Sequence, residues 1–197
     1  MEPSLPQHTT SLAIQTIITR DYDKPDLMSF EVQCLDGEGV TAGSLEGFVL
    51  DLGYFPDLDE LDDVFFLDGR SAHALQAFEV LAANKGAVEQ MLPSTEATTF
   101  IHLEEARVAK PYRGRGLALR LMREARFALH GYGRIVTLKA HPLEGEANAA
   151  TQTKLANYYE TDNRLGFQPI NAVEHPGWLV AAWDERVTAG GDGPMWR

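Results

Sequence analysis

The chain has 197 residues, of which 44% are apolar, and a formal net charge of −12, values that fit one globular domain with a substantial core. Its single cysteine, Cys34, excludes an intrachain disulfide framework and a cysteine-based zinc site, and we expect this thiol to be buried. The first ten residues lack the pattern of a signal peptide, and no apolar run approaches the roughly 20 residues of a membrane helix. We therefore expect a cytoplasmic protein without membrane contact.

The charge is unevenly distributed along the chain. From Arg20 to Arg70 there are 14 acidic and 3 basic residues, whereas from Arg107 to Lys139 there are 9 basic residues and one acidic residue, Glu124. The basic stretch suits an anionic ligand, and the acidic part suits a cationic one. The acidic balance of the whole chain argues against a nucleic-acid partner.

The first half of the sequence predicts three strands. β-Branched residues mark 11–19, an alternation of apolar and polar residues marks 28–35, and a third run covers 43–52. The turn Asp36-Gly37-Glu38-Gly39 joins the last two strands into a hairpin. An acidic loop, 57–63, precedes a helix predicted from Ala72 to Ala83. Its predicted N-cap is Ser71, and its predicted apolar face is formed by Leu75, Phe78, Val80 and Leu81.

The second half begins with a strand–helix–strand unit. Residues 98–108 predict a strand, 117–130 a helix that Gly131 and Gly133 end, and 134–140 a further strand. This order requires a parallel or mixed crossover. A helix at 151–161 and strands beginning at Leu165 and Trp178 follow. The predicted apolar stripe of the helix at 117–130 contains Leu117, Leu121, Ala125 and Ala128 or Leu129.

The stretch from Arg107 to Arg120, R-V-A-K-P-Y-R-G-R-G-L-A-L-R, joins the strand to the helix. Two glycines, Gly114 and Gly116, precede the helix, and Arg113 and Arg115 add positive charge. The amides at a helix start are unpaired and the helix dipole favours negative charge there. We therefore predict a cradle for the pyrophosphate of a cofactor.

Three glycine-rich phosphate motifs compete for this stretch. A P-loop needs G-x-x-x-x-G-K-[ST], which is absent, and a dinucleotide-binding G-x-G-x-x-G would need glycine where Leu119 stands. The third pattern, [RQ]-x-x-G-x-[GA], is matched at every defined position by residues 113–118. It is the pyrophosphate signature of acyl-CoA-dependent N-acyltransferases.

With this signature in its strand–helix–strand context, the chain resembles the GNAT superfamily of N-acetyltransferases over about Ile101 to Phe167. The family block Tyr-Glu-x-x-Gly-Phe is matched by Tyr159-Glu160 and Gly166-Phe167, with a gap about three residues longer. A proline that usually stands three residues before the signature arginine stands two before it here, at Pro111. The resemblance implies an α/β (α+β) fold with a mixed, mostly antiparallel central sheet, a strand–helix–strand acyl-CoA-binding core and helices on both faces.

The resemblance also implies a cofactor site. The cosubstrate would be acetyl-CoA or a related acyl-CoA, with no metal. Backbone amides from about Arg113 to Ala118 would hold the pyrophosphate, and the strand ending at Arg107 and Val108 would bond the pantetheine arm where it splays from strand 134–140. The implied cofactor-binding residues are Arg107, Val108, Arg113, Gly114, Arg115, Gly116, Leu117 and Ala118.

An acceptor amine would attack the thioester directly, which requires a base for the amine and an acid for the departing thiolate. Tyr159 holds the family's tyrosine position and is the predicted acid. Tyr158 is the alternative acid, because the longer gap before Gly166 would also allow it to align with that position. The candidate bases are Glu104 and Glu105, which strand alternation places on opposite faces. His102 and His141 are weaker candidates.

The first half departs from the usual family order. Only about eight residues, 20–27, separate the first two strands, too few for the two helices that shape the acceptor site in that family. We expect the insertion 53–97 to replace them, which divides the single domain, 11–187, into an acceptor half, 11–97, and an acyl-CoA half, 98–187. Residues 1–10 would form a flexible lead and 188–197 a loose tail.

The acidic start of the insertion predicts a cationic acceptor, either a small molecule or a peptide amine. A homodimer is left open. Two other functions stay open from the sequence alone: a non-catalytic acyl-CoA-binding or protein-interaction module on the same fold, and a nucleotide- or nucleic-acid-binding domain.

Overall fold

The computed structural model describes residues 11–20, 27–52, 72–92, 97–142, 148–171 and 173–184. In these residues seven strands form one sheet in the order β1-β2-β3-β4-β5-β7-β6. The strands are β1 (Ala13–Arg20), β2 (Leu27–Leu35), β3 (Thr41–Asp51), β4 (Thr99–Val108), β5 (Arg134–Lys139), β6 (Gln168–Pro169) and β7 (Trp178–Ala182). The helices are α1 (Ala72–Ala83), α2 (Lys85–Met91), α3 (Leu117–Leu129) and α4 (Ala149–Glu160), with a 3-10 turn at Lys110–Tyr112.

Neighbouring strands pair antiparallel throughout this sheet except for β4 and β5, which are parallel. The helix α3 makes the crossover between these two strands. The predicted fold class, a mixed and mostly antiparallel sheet with a strand–helix–strand core, is therefore confirmed. None of the helices in the described residues is long and apolar enough to cross a membrane.

The side chains of the sheet alternate between two cores. Ile101 and Val136 pack with α3 and α4, whereas their neighbours Phe100 and Ile135 pack with α1 and α2. Successive strand residues point to opposite faces, so each face requires its own apolar cover. The helices lie on both faces of the sheet, as predicted. We call these the α3–α4 face and the α1–α2 face.

The helix α3 is held by its apolar stripe. Leu121 and Ala125 are fully buried, and the other buried residues of the helix are Leu117, Leu119, Met122 and Leu129. Of Ala128 and Leu129, the two candidates for the last position of the stripe, Leu129 is buried and Ala128 is exposed. Of the arginines off this stripe, Arg120 is exposed, whereas Arg123 and Arg126 are half-buried.

Two predictions about local structure change in detail. The strand expected at Leu165 begins at Gln168 instead, because Leu165 and Gly166 donate their amides to the Asp162 carbonyl and form a turn. Cys34 is buried, as expected, and burial raises the pKa of its thiol. The flexible lead, the acidic loop 57–63, the Ser71 cap, the Leu75 side chain and the tail 188–197 lie outside the described residues.

Candidate active site

The parallel strands β4 and β5 diverge halfway along their length. Their pairing runs from Thr99 opposite Arg134 to Leu103 opposite Leu138 and stops there, although β4 continues to Val108. The cause lies on the other side of β4, where β3 pairs Gly47 with Leu103 and Glu46 with Glu105. Glu104 is therefore the extra residue of a β-bulge, and a bulge bends its strand. The bend opens a wedge between β4 and β5.

Gly47 allows β3 to approach this bulge closely. A Cβ atom at Gly47 would lie 2.2 Å from the carbonyl oxygen of His102 and 2.6 Å from the Phe30 ring. Those distances are shorter than the contacts that Cβ atoms make in proteins, so a larger residue would force the strands apart. The glycine and the bulge together shape the wedge.

A cavity of about 80 Å³ lies in the wedge. Leu45, Met122, Leu138 and Tyr159 border it from the α3–α4 core, and His102 and Lys139 also border it. His102 contacts the Phe48, Phe100 and Trp178 rings of the α1–α2 core. The cavity therefore lies in the gap of the sheet, with residues of the α3–α4 core on one side and His102, which packs against the α1–α2 core, on the other.

The two candidate bases both border this cavity, although a regular strand would place them on opposite faces. The bulge at Glu104 interrupts the alternation and accounts for the difference. Arg107 binds Glu105 with both arms of its guanidinium, Nη2 at 2.8 Å from Oε2 and Nε on Oε1. Glu104 is exposed and makes no such pair within the described residues. Glu104 is therefore the carboxylate available to an incoming group.

The adjacent tyrosines have different surroundings. Tyr159 is 7% exposed and borders the cavity, and burial raises the pKa of its phenol to about 12. It stays protonated at neutral pH and can donate a proton into the cavity. Tyr158 is half-buried with its ring centre 5.5 Å from that of Tyr159. Burial also raises the pKa of Tyr158, and the backbone amide of Leu119 acts in the opposite direction. Tyr158 thus faces the start of α3.

The turn before α3 has the geometry of an anion site. Gly114 and Gly116 both have a φ of 72°, a left-handed conformation that favours glycine, and Gly116 is the N-cap of the helix. Within the described residues, the amides of 114–118 donate to no carbonyl, and the first helical bond runs from Arg120 to Gly116 at 3.1 Å. The Arg113 amide, predicted as part of the cradle, donates to the Lys110 carbonyl at 3.3 Å instead. Five consecutive amides therefore remain for a ligand.

Side chains hold this turn in place. Arg113 donates from Nε to the Val108 carbonyl at 3.0 Å, and Tyr112 donates its hydroxyl to Asp36 Oδ2 at 2.8 Å. Asp36 also accepts amides of its own turn, and the Val40 amide is the main reason that the pKa of this carboxyl is lowered. Arg115 lies over the Tyr112 ring at 5.9 Å. The turn is thus tied to the β2–β3 hairpin before any ligand binds.

Three residues that shape the site were not predicted from the sequence: Gly47, Tyr112 and Asp162. Asp162 is buried and accepts Arg123 Nε of α3 at 2.5 Å, which fixes the end of α4 and its two tyrosines against α3. It lies in the segment 161–164, where the gap to Gly166 exceeds the family spacing. The sequence contained one signal for this Asp162 contact: an acidic residue directly after the predicted helix, together with arginines spaced along α3. No group of three or more metal-binding side chains occurs in the described part of the chain.

Few known proteins match this chain. No protein-family model matches the chain, and no curated protein matches it. One solved structure that matches is arylalkylamine N-acetyltransferase 2 from Aedes aegypti, with a TM-score of 0.36 and 13% identity. The match covers 64% of this chain and 55% of that chain, so this chain spans about half the length of that protein. At this TM-score the likeness carries no argument about activity or substrate.

Proposed function

We propose that the protein is an N-acetyltransferase that moves the acetyl group of acetyl-CoA, or a related acyl group, to an amine in a ternary complex. The observation that carries the proposal is the arrangement of three features around the splayed end of β4. They are five amides at the start of α3 and a carboxylate, all without a partner among the described residues, and a buried phenol that borders the same cavity as the carboxylate.

The amides of 114–118 would hold the pyrophosphate, since they converge where the helix dipole is positive. No strand in the described part of the chain pairs with the β5 side of β4 beyond Leu103, so its backbone groups are available to the amides of a pantetheine arm. Arg107 and Val108 lie in this part of the strand. The Val108 carbonyl already accepts Arg113, so the remaining contacts fall to the preceding residues.

The reaction assigns a task to each cavity group. Glu104 accepts a proton from the amine, directly or through a water molecule, because Arg107 already occupies Glu105. The amine nitrogen forms a bond to the thioester carbonyl carbon, and the carbon–sulfur bond breaks. Tyr159 then donates its proton to the thiolate that leaves. The geometry favours Tyr159 over Tyr158 for this step because Tyr159 borders the cavity.

Thiol release from acetyl-CoA, measured with a panel of amines and small peptides, tests the proposal. We expect turnover that requires both acetyl-CoA and an amine, and native mass spectrometry of the purified protein should detect bound CoA. Binding of acetyl-CoA without turnover on any amine would instead support a non-catalytic acyl-CoA-binding module. Binding of a nucleotide or a nucleic acid, with no acetyl-CoA bound, would contradict both.

A further inference from the structure

A row of side chains on the α1–α2 face leads to the wedge between β4 and β5. His102 Nδ1 and Thr137 Oγ1 lie 2.9 Å apart across β4 and β5. Glu104 and Lys139 each stand two residues further along the same strands, and both border the cavity. Lys139 shares a face with Thr137 because the two residues are two apart in a regular strand, and the bulge at Glu104 places that carboxylate at the same opening.

Lys139 is held on this face by two contacts. Its Nζ donates to Gln76 Oε1 of α1 at 3.1 Å and lies 5.5 Å from the centre of the Trp178 ring. A cation over an aromatic face is fixed in position while its remaining hydrogens stay available. The ammonium group is thus oriented before a ligand arrives.

Glu104 and Lys139 do not neutralise each other. They follow the last β4–β5 pair, Leu103 opposite Leu138, and would come next in register if the strands had not diverged. No ion pair joins them among the described residues. The other carboxylate of the cavity, Glu105, is paired with Arg107. Two separated charges of opposite sign therefore border one opening.

We propose that the acceptor is a zwitterion, an α-amino acid or a close analogue, whose carboxylate binds Lys139 and whose amino group is presented to Glu104. This inference rests on the proposed function and names its substrate class. The cavity that Glu104 and Lys139 border receives the reacting head group, and the acceptor side chain extends over the α1–α2 face.

Matched acceptor pairs test this inference: phenylalanine against phenethylamine, and lysine against cadaverine, each with acetyl-CoA. We expect kcat/KM to favour the amino acid of each pair by roughly 10- to 100-fold, the usual worth of a charge-assisted hydrogen bond. Lys139→Gln should bring this ratio close to one, and Lys139→Arg should retain part of it. Lys154→Gln, which changes an exposed lysine on α4, is the matched control and should keep the wild-type ratio.

The outcomes separate the inference from the proposed function. Equal or better turnover of phenethylamine and cadaverine by the wild-type protein would overturn the inference and leave the acetyltransferase intact, and this measurement needs no variant. A preference for amino acids that survives Lys139→Gln, with acetyl-CoA affinity and the thermal unfolding midpoint retained, would also overturn it. If acetyl-CoA does not bind the wild-type protein, both proposals fail.

Discussion

The two faces of the sheet contribute to the site in different ways. On the α3–α4 face a single continuous stretch, Arg107 to Arg120, provides the splayed strand, the glycine turn and the helix start. On the α1–α2 face Lys139 borders the opening, and it is held there by Gln76 and Trp178, which are far apart in the sequence. The first face offers mainly backbone amides, which depend on conformation, and the second offers mainly side chains. The proposed cofactor site can therefore keep its geometry while the proposed acceptor site changes.

The largest expected effect separates the two tyrosines. Tyr159→Phe should lower kcat by about 100-fold or more, because a buried phenol that serves as general acid typically contributes that much. The affinity for acetyl-CoA should stay unchanged. Tyr158→Phe, the control, should act mainly on acetyl-CoA affinity, since Tyr158 faces the Leu119 amide. A larger loss of kcat in Tyr158→Phe would reverse the assignment. Steady-state kinetics and calorimetric titration measure both quantities.

The next prediction tests the α3–α4 face. Gly116→Val places a branched side chain at a φ of 72° in front of the free amides and should weaken acetyl-CoA binding by roughly 10- to 100-fold. Gly39→Val introduces the same kind of strain at a φ of 79° in the β2–β3 turn and controls for lost stability. Equal losses of acetyl-CoA affinity in both variants would argue against a phosphate site at this turn.

The next prediction compares substitutions of the two glutamates that border the cavity. Glu104→Gln should lower kcat/KM by about 10-fold or more and move the acidic limb of its pH profile, because the general base is removed. Glu105→Gln leaves Arg107 without its partner at an exposed position, where an ion pair contributes at most about 1 kcal/mol, and should change kcat/KM much less. Kinetics of the two variants across pH 5 to 9 would reveal a reversed order if Glu105 is the base.

The wedge itself depends on Gly47. Gly47→Ala should lower the free energy of unfolding by about 1 to 3 kcal/mol, because the new methyl group collides with the His102 carbonyl and the Phe30 ring. Gly86→Ala, at a helical position where a Cβ meets nothing within 4 Å, should have little effect or stabilise slightly. Urea denaturation of both variants makes the comparison, and an unchanged stability of Gly47→Ala would contradict the tight approach.

The smallest effect concerns alkaline pH. Burial raises the pKa of Tyr159 from 10.0 to about 12, so the folded protein holds this proton more tightly than the unfolded chain. The associated stability is complete below pH 10 and is lost as the pH rises towards 12. Urea denaturation at pH 8 and pH 11 should show the wild-type protein losing about 1 kcal/mol more than Tyr159→Phe. Parallel losses would mean that Tyr159 ionises as an exposed tyrosine does.

The features that could be predicted from the sequence arise from local segments, and those that could not depend on contacts between distant residues. The bounds of α1 and the start of α3 at Leu117 agree with expectation, since amphipathic spacing and nearby glycines are local signals. The bulge at Glu104 depends on the register between β3 and β4, which a local pattern does not contain. Lys139 and Gln76 meet only after the sheet has formed, and Asp162 finds Arg123 only when α4 packs against α3. The strand expected at Leu165 gave way to a turn closed on the Asp162 carbonyl.

The central claim is that the backbone amides at the start of α3 bind the pyrophosphate of an acyl-CoA. Amide hydrogen exchange of the wild-type protein with and without acetyl-CoA tests it most directly. We predict slower exchange in 114–118 and along the splayed end of β4 when acetyl-CoA is bound. Binding that leaves exchange at 114–118 unchanged, or protects another surface instead, would contradict the account.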